Sequence, residues 1–113
     1  MTITYSKAFE PTVLTTSAAT LFTVATLPTS NLLRGGRVRF SNTTAGPITV
    51  TAYAVPLSGT AAVGNAITSA KSIAANDYLD IDLPVMKAGD FFQALASANT
   101  SITAHYLSGS TFS

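Results

Sequence analysis

The sequence predicts an all-β chain folded as one antiparallel β-sandwich, jelly-roll-like, of about eight short strands, on three observations. Apolar and polar residues alternate with period two in several separate stretches, as strands with one buried face require. Turn-forming clusters of Gly, Pro, Asn, Asp and Ser recur about every 8 to 12 residues. Charged residues make up only 10% of the 113 positions, where roughly 25% is ordinary, and Thr and Ser, which suit exposed strand faces, take their place.

Residues 1–11 alternate weakly, Ile3 and Tyr5 against Thr2, Thr4 and Ser6, until Lys7, Glu10 and Pro11 interrupt. This reads as an edge strand or an arm reaching onto a neighbouring subunit. Residues 12–16 form a short strand, 17–20 a turn, and 21–27 a strand with Phe22 and Val24 on one side and Leu21, Thr23 and Ala25 on the other. Gly35 and Gly36 supply a tight bend. Residues 37–54 then read as a β-hairpin: Val38 and Phe40 alternate with Arg37, Arg39 and Ser41, and Ile48, Val50, Ala52 and Ala54 with Thr49, Thr51 and Tyr53. Asn42, Gly46 and Pro47 are the turn chemistry between the arms.

The loop at residues 56–64 is small and polar, and a helical turn near 60–66 is stopped by Gly64 and Asn65. A strand at 66–73 and a turn at 74–77 lead to residues 78–83, where Leu79, Ile81 and Leu83 face in and Asp80 and Asp82 face out, ended by Pro84. Residues 87–90 turn, 91–96 form a strand covered on both faces, and 101–107 close the domain, with Ile102, Ala104 and Tyr106 opposite Thr103, His105 and Leu107. The tail is small and polar except for Phe112. Residues 1–113 therefore read as a single domain.

A net charge of +1 argues against broad electrostatic binding to nucleic acid or anionic lipid. Without cysteine there is no disulfide, zinc–thiolate site or thiol nucleophile. No run approaches the ~18 apolar residues of a membrane span, and the first residues lack the basic start and apolar core of a secretory signal. The expectation is a protein made in the cytosol.

No constellation of acid, base and nucleophile emerges, so the chain reads as a non-enzyme with no catalytic, cofactor or metal site. His105 lies in a strand with no motif supplying a nucleophile and an orienting carboxylate. Asp77, Asp80 and Asp82 lack the loop, glycine and distant glutamate of a calcium-binding loop. Asn42-Thr43-Thr44 and Asn99-Thr100-Ser101 match the glycosylation triplet and read as turns. Tyr53, Tyr78 and Tyr106 are half-buried strand residues or the walls of a sugar groove. Arg34, Arg37 and Arg39 read as an interface meeting Asp80, Asp82 or Asp90 of this or a neighbouring copy, because Arg favours bidentate pairing with carboxylates. With Ile3, Tyr5 and Phe112, they are the predicted contact residues, and the arm at 1–11 and the loop at 56–64 are the segments expected to join them in assembly.

Three stretches, SAATLFTVATLP, RVRFSNTTAGPITVTAYAVP and SIAANDYLDIDLPVMKAGDFFQALASANTSITAHYLSG, resemble the small β-sandwich structural proteins of tailed-bacteriophage virions. In that group a first strand precedes an N-T-t hairpin, here at Asn42, Thr43 and Thr44. A turn and strand at 76–83 follow, then the aGD turn at Gly89 and Asp90, and two closing strands. The resemblance implies a virion structural protein, foremost a capsid cement (decoration) protein that bridges major capsid protein subunits as a homo-oligomer, a trimer, needing no cofactor. A tail-fibre or tail-base component, or a carbohydrate- or receptor-binding module, is the alternative it leaves.

Overall fold

A computed structural model describes residues 3–4 and 7–113, apart from the side chain of Thr4. The strands are β1 (Ile3–Thr4), β2 (Thr12–Val13), β3 (Ala19–Thr23), β4 (Leu32–Asn42), β5 (Ile48–Val55), β6 (Ala66–Ile73), β7 (Tyr78–Asp82), β8 (Met86–Lys87), β9 (Phe91–Ala96) and β10 (Ile102–Phe112), with a 3-10 turn at Val63–Asn65.

Four antiparallel pairs are nested inside one another: β5 with β6, β4 with β7, β3 with β9 and β2 with β10. The chain is in effect one long hairpin, with the loop at residues 56–65 as its tip. It is rolled up so that successive pairs fall in different sheets. One sheet runs β1-β10-β4-β7, with β2 also beside β10 and β8 beside β4, and the other runs β3-β9-β5-β6. This is the jelly-roll arrangement of two facing antiparallel sheets. The expected eight strands are its principal ones, and β1 and β8 are two-residue additions.

Residues 37–54 are not a hairpin. β4 pairs with β10, β7 and β8, whereas β5 pairs with β6 and β9, and residues 43–47 cross from one sheet to the other. Period two reports which side of a strand is buried and is silent about which strand lies beside it. β4 and β5 both bury one face, but they do so across the core from each other.

Gly35 and Gly36 do not bend the chain ahead of a strand. Gly35, at φ +67, sits inside β4, which runs unbroken from Leu32 to Asn42. The extra residue of this bulge shifts the inward phase, so that Leu33 faces the core on one side of it and Val38, Phe40 and Asn42 on the other. Glycine reaches that φ without steric penalty.

Other boundaries move for similar reasons of pairing. β3 begins inside the expected turn at 17–20, and beyond it Val24 still bonds the neighbouring chain: its N–H donates to the Asp90 carbonyl at 2.8 Å, and its carbonyl accepts from Gly89 at 2.9 Å. Lys87, read as part of a turn, belongs to β8. β9 is fully buried on one face, at Phe92, Ala94 and Ala96, and half-buried on the other, at Phe91, Gln93 and Leu95. The polar tail continues β10 to Phe112, because Leu32, Leu33 and Arg34 are there to pair with it.

The core is threaded by aromatic rings. Phe9 stacks on Phe22 at 5.8 Å between centroids, Phe22 meets Phe92 at 5.8 Å, and Phe92 meets Phe40 at 6.5 Å, while Tyr106 packs edge-on against Phe9 and Phe22. Each such ring contributes about 1.5–3 kcal/mol by leaving water. The segment read as an edge strand or external arm thus also carries a core residue. Phe9 plugs the seam between β3 and β10, and Lys7 and Glu10 pair on the surface at 2.9 Å.

Candidate functional site

The outer face of the first sheet holds most of the predicted contact residues. Register sets Arg39 of β4 opposite Asp80 of β7 and Arg37 opposite Asp82. The Arg39 guanidinium donates two hydrogen bonds to Asp80, Nε to Oδ1 at 2.7 Å and Nη2 to Oδ2 at 2.9 Å, and lies 4.1 Å over the Tyr78 ring. Arg37 sits farther out, 3.5 Å from Asp82 and 3.9 Å from Asp80. The Asp80 side chain is 15% exposed and that of Asp82 is 85% exposed, so only the Asp82 carboxylate is still largely open to solvent. Hydrogen bonding from Arg39, opposed by partial desolvation, holds the Asp80 carboxyl below its ordinary value, and the same bond raises Arg39.

The arginines therefore meet carboxylates of their own chain. Asp90 is not among them: its Oδ1 accepts from the Leu57 N–H at 3.0 Å and its Oδ2 from the Lys87 N–H at 2.9 Å. Arg34 lies apart from Arg37 and Arg39, its guanidinium 5.8 Å over the Phe112 ring. Phe112 pairs with Leu32 on one side and with the exposed Ile3 on the other. Tyr5 lies outside the described residues. The predicted contact residues thus fall into two groups, a charged ladder on β4 and β7 and an apolar corner where β1, β4 and β10 meet.

His105 is half-buried opposite Arg39, in an open cleft of about 370 Å³ shared with Lys7 and Tyr106. Among the described residues no carboxylate pairs with it, and no three metal-ligating side chains converge anywhere. Among the described residues no helix is long and apolar enough to cross a membrane. The tyrosines do not share a groove. Tyr106 packs in the core, where burial raises its phenol, Tyr78 lies on the outer face of the first sheet, and Tyr53 lies on the second.

Asn42 was read as a turn residue, but it is 2% exposed and organises the crossover between the sheets. Its amide donates to the carbonyls of Gly46 at 2.9 Å, Ile73 at 3.0 Å and Ala74 at 3.2 Å, and its Oδ1 accepts from the Thr44 N–H at 2.9 Å and hydroxyl at 2.7 Å. A glycan has no room on that nitrogen. Asn99, in the other triplet, is exposed and accepts a hydrogen bond from the Thr16 N–H at 3.0 Å.

A second surface has no counterpart among the predicted site residues apart from the loop at 56–64. The connections at residues 24–31, 56–65 and 83–90 gather at one end of the sandwich, around an open cleft of about 500 Å³ walled by Pro56, Leu57, Ala88 and the threonines Thr26 and Thr29. Asp90 braces it through the two backbone bonds above. Gly89, at φ +88, lets Leu57 lie against the turn, where a Cβ would meet the leucine at 2.6 Å. Leu27 is 77% exposed and Leu57 61% exposed, and Val63 and Val85 are exposed on the same set of loops. The opposite end, built from residues 14–18, 43–47, 74–77 and 97–101, exposes no large apolar side chain. Sequence alone cannot assemble such a patch, since its members sit in three loops with no periodicity.

No protein-family model matches the chain, and no curated protein matches it by sequence. Among solved structures it is similar to a chain in the structure of infectious bursal disease virus strain Gx, with 17% identity and a TM-score of 0.50 over 97% of this chain. It spans only 30% of that longer chain. A subviral particle of the same virus's VP2 matches at 17% identity and a TM-score of 0.46, covering 97% of this chain and 32% of that one. Bacillus endospore appendages, described as disulfide-linked pili, match at 15% identity and a TM-score of 0.49, covering 97% of this chain and 86% of that one. At such identities the likeness to the strain Gx chain is one of fold.

Proposed function

We propose that the chain is a non-enzymatic structural subunit of a virion, and specifically a cement protein of a tailed-bacteriophage capsid that bridges major capsid protein subunits as a homo-oligomer. The observation that carries this reading is the asymmetry of the jelly roll. The loops at one end expose Leu27, Leu57, Val63 and Val85, with Leu57 lining a braced cleft, whereas the loops at the other end expose no large aliphatic side chain and only Val13 and Tyr78 are exposed in the strands that lead into them. Exposed aliphatics gathered at one end of a domain mark surfaces that another protein covers. A Thr-rich, weakly charged exterior is cheap to desolvate when it is covered. The fold shared with a chain of the infectious bursal disease virus structure is compatible with this role.

The test is addition of purified protein to expanded capsids that lack it. Saturable binding accompanied by greater resistance to heat is expected. Capsids that neither bind the protein nor gain resistance would refute the cement role.

A further inference from the structure

The sheet edges are unequally defended against pairing with other chains. β6 carries two irregularities in its pairing with β5, Ala70 at φ +46 and the cation Lys71. β3 is irregular between Thr20 and Phe22. The edge of β10 is occupied by β2 and β1. β7 has none of these devices. It pairs with β4 in unbroken register, it contains no proline, lysine or positive-φ residue, and no described residue lies along its other side.

Hydrogen bonds at the ends of this ladder fix which backbone groups face outward. The Asn42 N–H donates to the Asp77 carbonyl at 2.8 Å, and the Leu83 N–H to the Gly36 carbonyl at 2.7 Å. Bonding alternates along an antiparallel strand, so Leu79 and Ile81 bond β4, while Tyr78, Asp80 and Asp82 turn their backbone groups to the open side, where the Tyr78 N–H already donates to Asp77 Oδ1 at 2.8 Å and the N–H groups of Asp80 and Asp82 are left to receive a partner. Side chains sort in the same way. Leu79 and Ile81 are half-buried against the core, and the carboxylates of Asp80 and Asp82 lie on the outer face. Two copies of β7 paired over their whole length would set Asp80 against Asp80, and like charges directly opposite are destabilising.

We infer that β7 receives an extended segment of a neighbouring polypeptide, aliphatic where it covers Leu79 and Ile81 and basic where it passes Asp80 and Asp82, which extends the first sheet by one strand. Main-chain bonds hold such a segment and alternate side chains select it. The inference deepens the assembly reading and rests on it for the source of the segment, while the edge itself is testable on the isolated chain.

The probe is a short capped peptide, Thr-Val-Lys-Val-Lys-Val-Thr, with a glutamate-for-lysine version as control, and the readout is amide hydrogen exchange followed residue by residue. The lysine peptide is expected to slow exchange at Asp80 and Asp82 by about tenfold or more, and the glutamate peptide to leave it unchanged. Asp82→Pro, which removes an outward N–H and no bond to β4, abolishes the slowing while Leu79 and Ile81 stay protected. Asp82→Lys, which leaves the backbone intact, weakens binding of the lysine peptide. Unchanged exchange at the Asp80 and Asp82 amides, or protection of a different edge, overturns the inference. A chain that takes the peptide on β7 but ignores capsids refutes the cement role alone, and a chain that binds capsids with these amides unprotected refutes this inference alone.

Discussion

Asn42 ties the end of β4 to the crossover loop and to the end of β6 with both halves of its amide. Its replacement strands the buried carbonyl of Ile73 at the end of β6 and partly buried groups of the crossover and the turn after β6, among them the Thr44 N–H and the Ala74 carbonyl, and leaving such groups unpaired costs more than the mean worth of a hydrogen bond. Asn42→Ala is expected to lower the unfolding free energy by about 2–3 kcal/mol, read from urea denaturation at constant slope. Ala70 makes the opposite case. Its φ of +46 belongs to a bulge on exposed β6, where its N–H donates to the Thr51 hydroxyl at 2.9 Å. A left-handed alanine costs roughly 1–2 kcal/mol, and glycine's extra chain entropy about 0.5–1 kcal/mol. Ala70→Gly should therefore stabilise by about 0.5 kcal/mol, and a lower denaturation midpoint would count against the bulge.

At the scale of elements, the ladder between β4 and β7 links stability to acid. Asp80 titrates below its ordinary value of 3.8 in the folded chain because Arg39 bonds its charged form. The stabilisation is complete above that value and is lost as the pH falls through the lowered folded value, since protons then bind the unfolded state first. Urea midpoints of the native chain should fall between about pH 6 and about pH 2.5, and those of Asp80→Asn should fall less over the same interval. Equal slopes would show the pair to be inert. The same elements show what was legible in the sequence. Alternation identified the buried sides of β4, β5, β7 and β10, because period two is written in each strand by itself. It also placed Arg37, Arg39, Asp80 and Asp82 on outward faces, and opposite charges made their pairing readable. Strand partners were not legible: the nesting of β4 with β7 and β5 with β6 depends on contacts far apart in sequence, so residues 37–54 passed for a hairpin. Gly35 passed for a bend because a bulge and a turn ask for the same backbone freedom. The core role of Phe9 was not legible because residues 1–11 alternate only weakly, and Asn42 passes for a turn residue because its polar side chain masks that it continues the inward phase of Val38 and Phe40.

For the molecule as a whole, the apolar end is the feature that an isolated domain does not need. Leu57 makes its exposed surface from a loop held by the Asp90 carboxylate and Leu27 from one whose Ala25 and Leu27 carbonyls accept from the Asn31 amide, so charge can be placed there without touching the aromatic core. Leu27→Asp and Leu57→Asp should each change folding stability by about 0.5 kcal/mol or less, as surface substitutions do, and together should weaken capsid binding at least about tenfold, which corresponds to about 1.4 kcal/mol. Titration of capsids with the fluorescently labelled double variant reads both numbers when paired with its thermal melt. The central claim, that this jelly roll is a shell component, is tested most directly by counting its copies in purified particles against the major coat protein by quantitative mass spectrometry. A fixed stoichiometric ratio to coat subunits is the predicted result. A handful of copies per particle, or none, would contradict it.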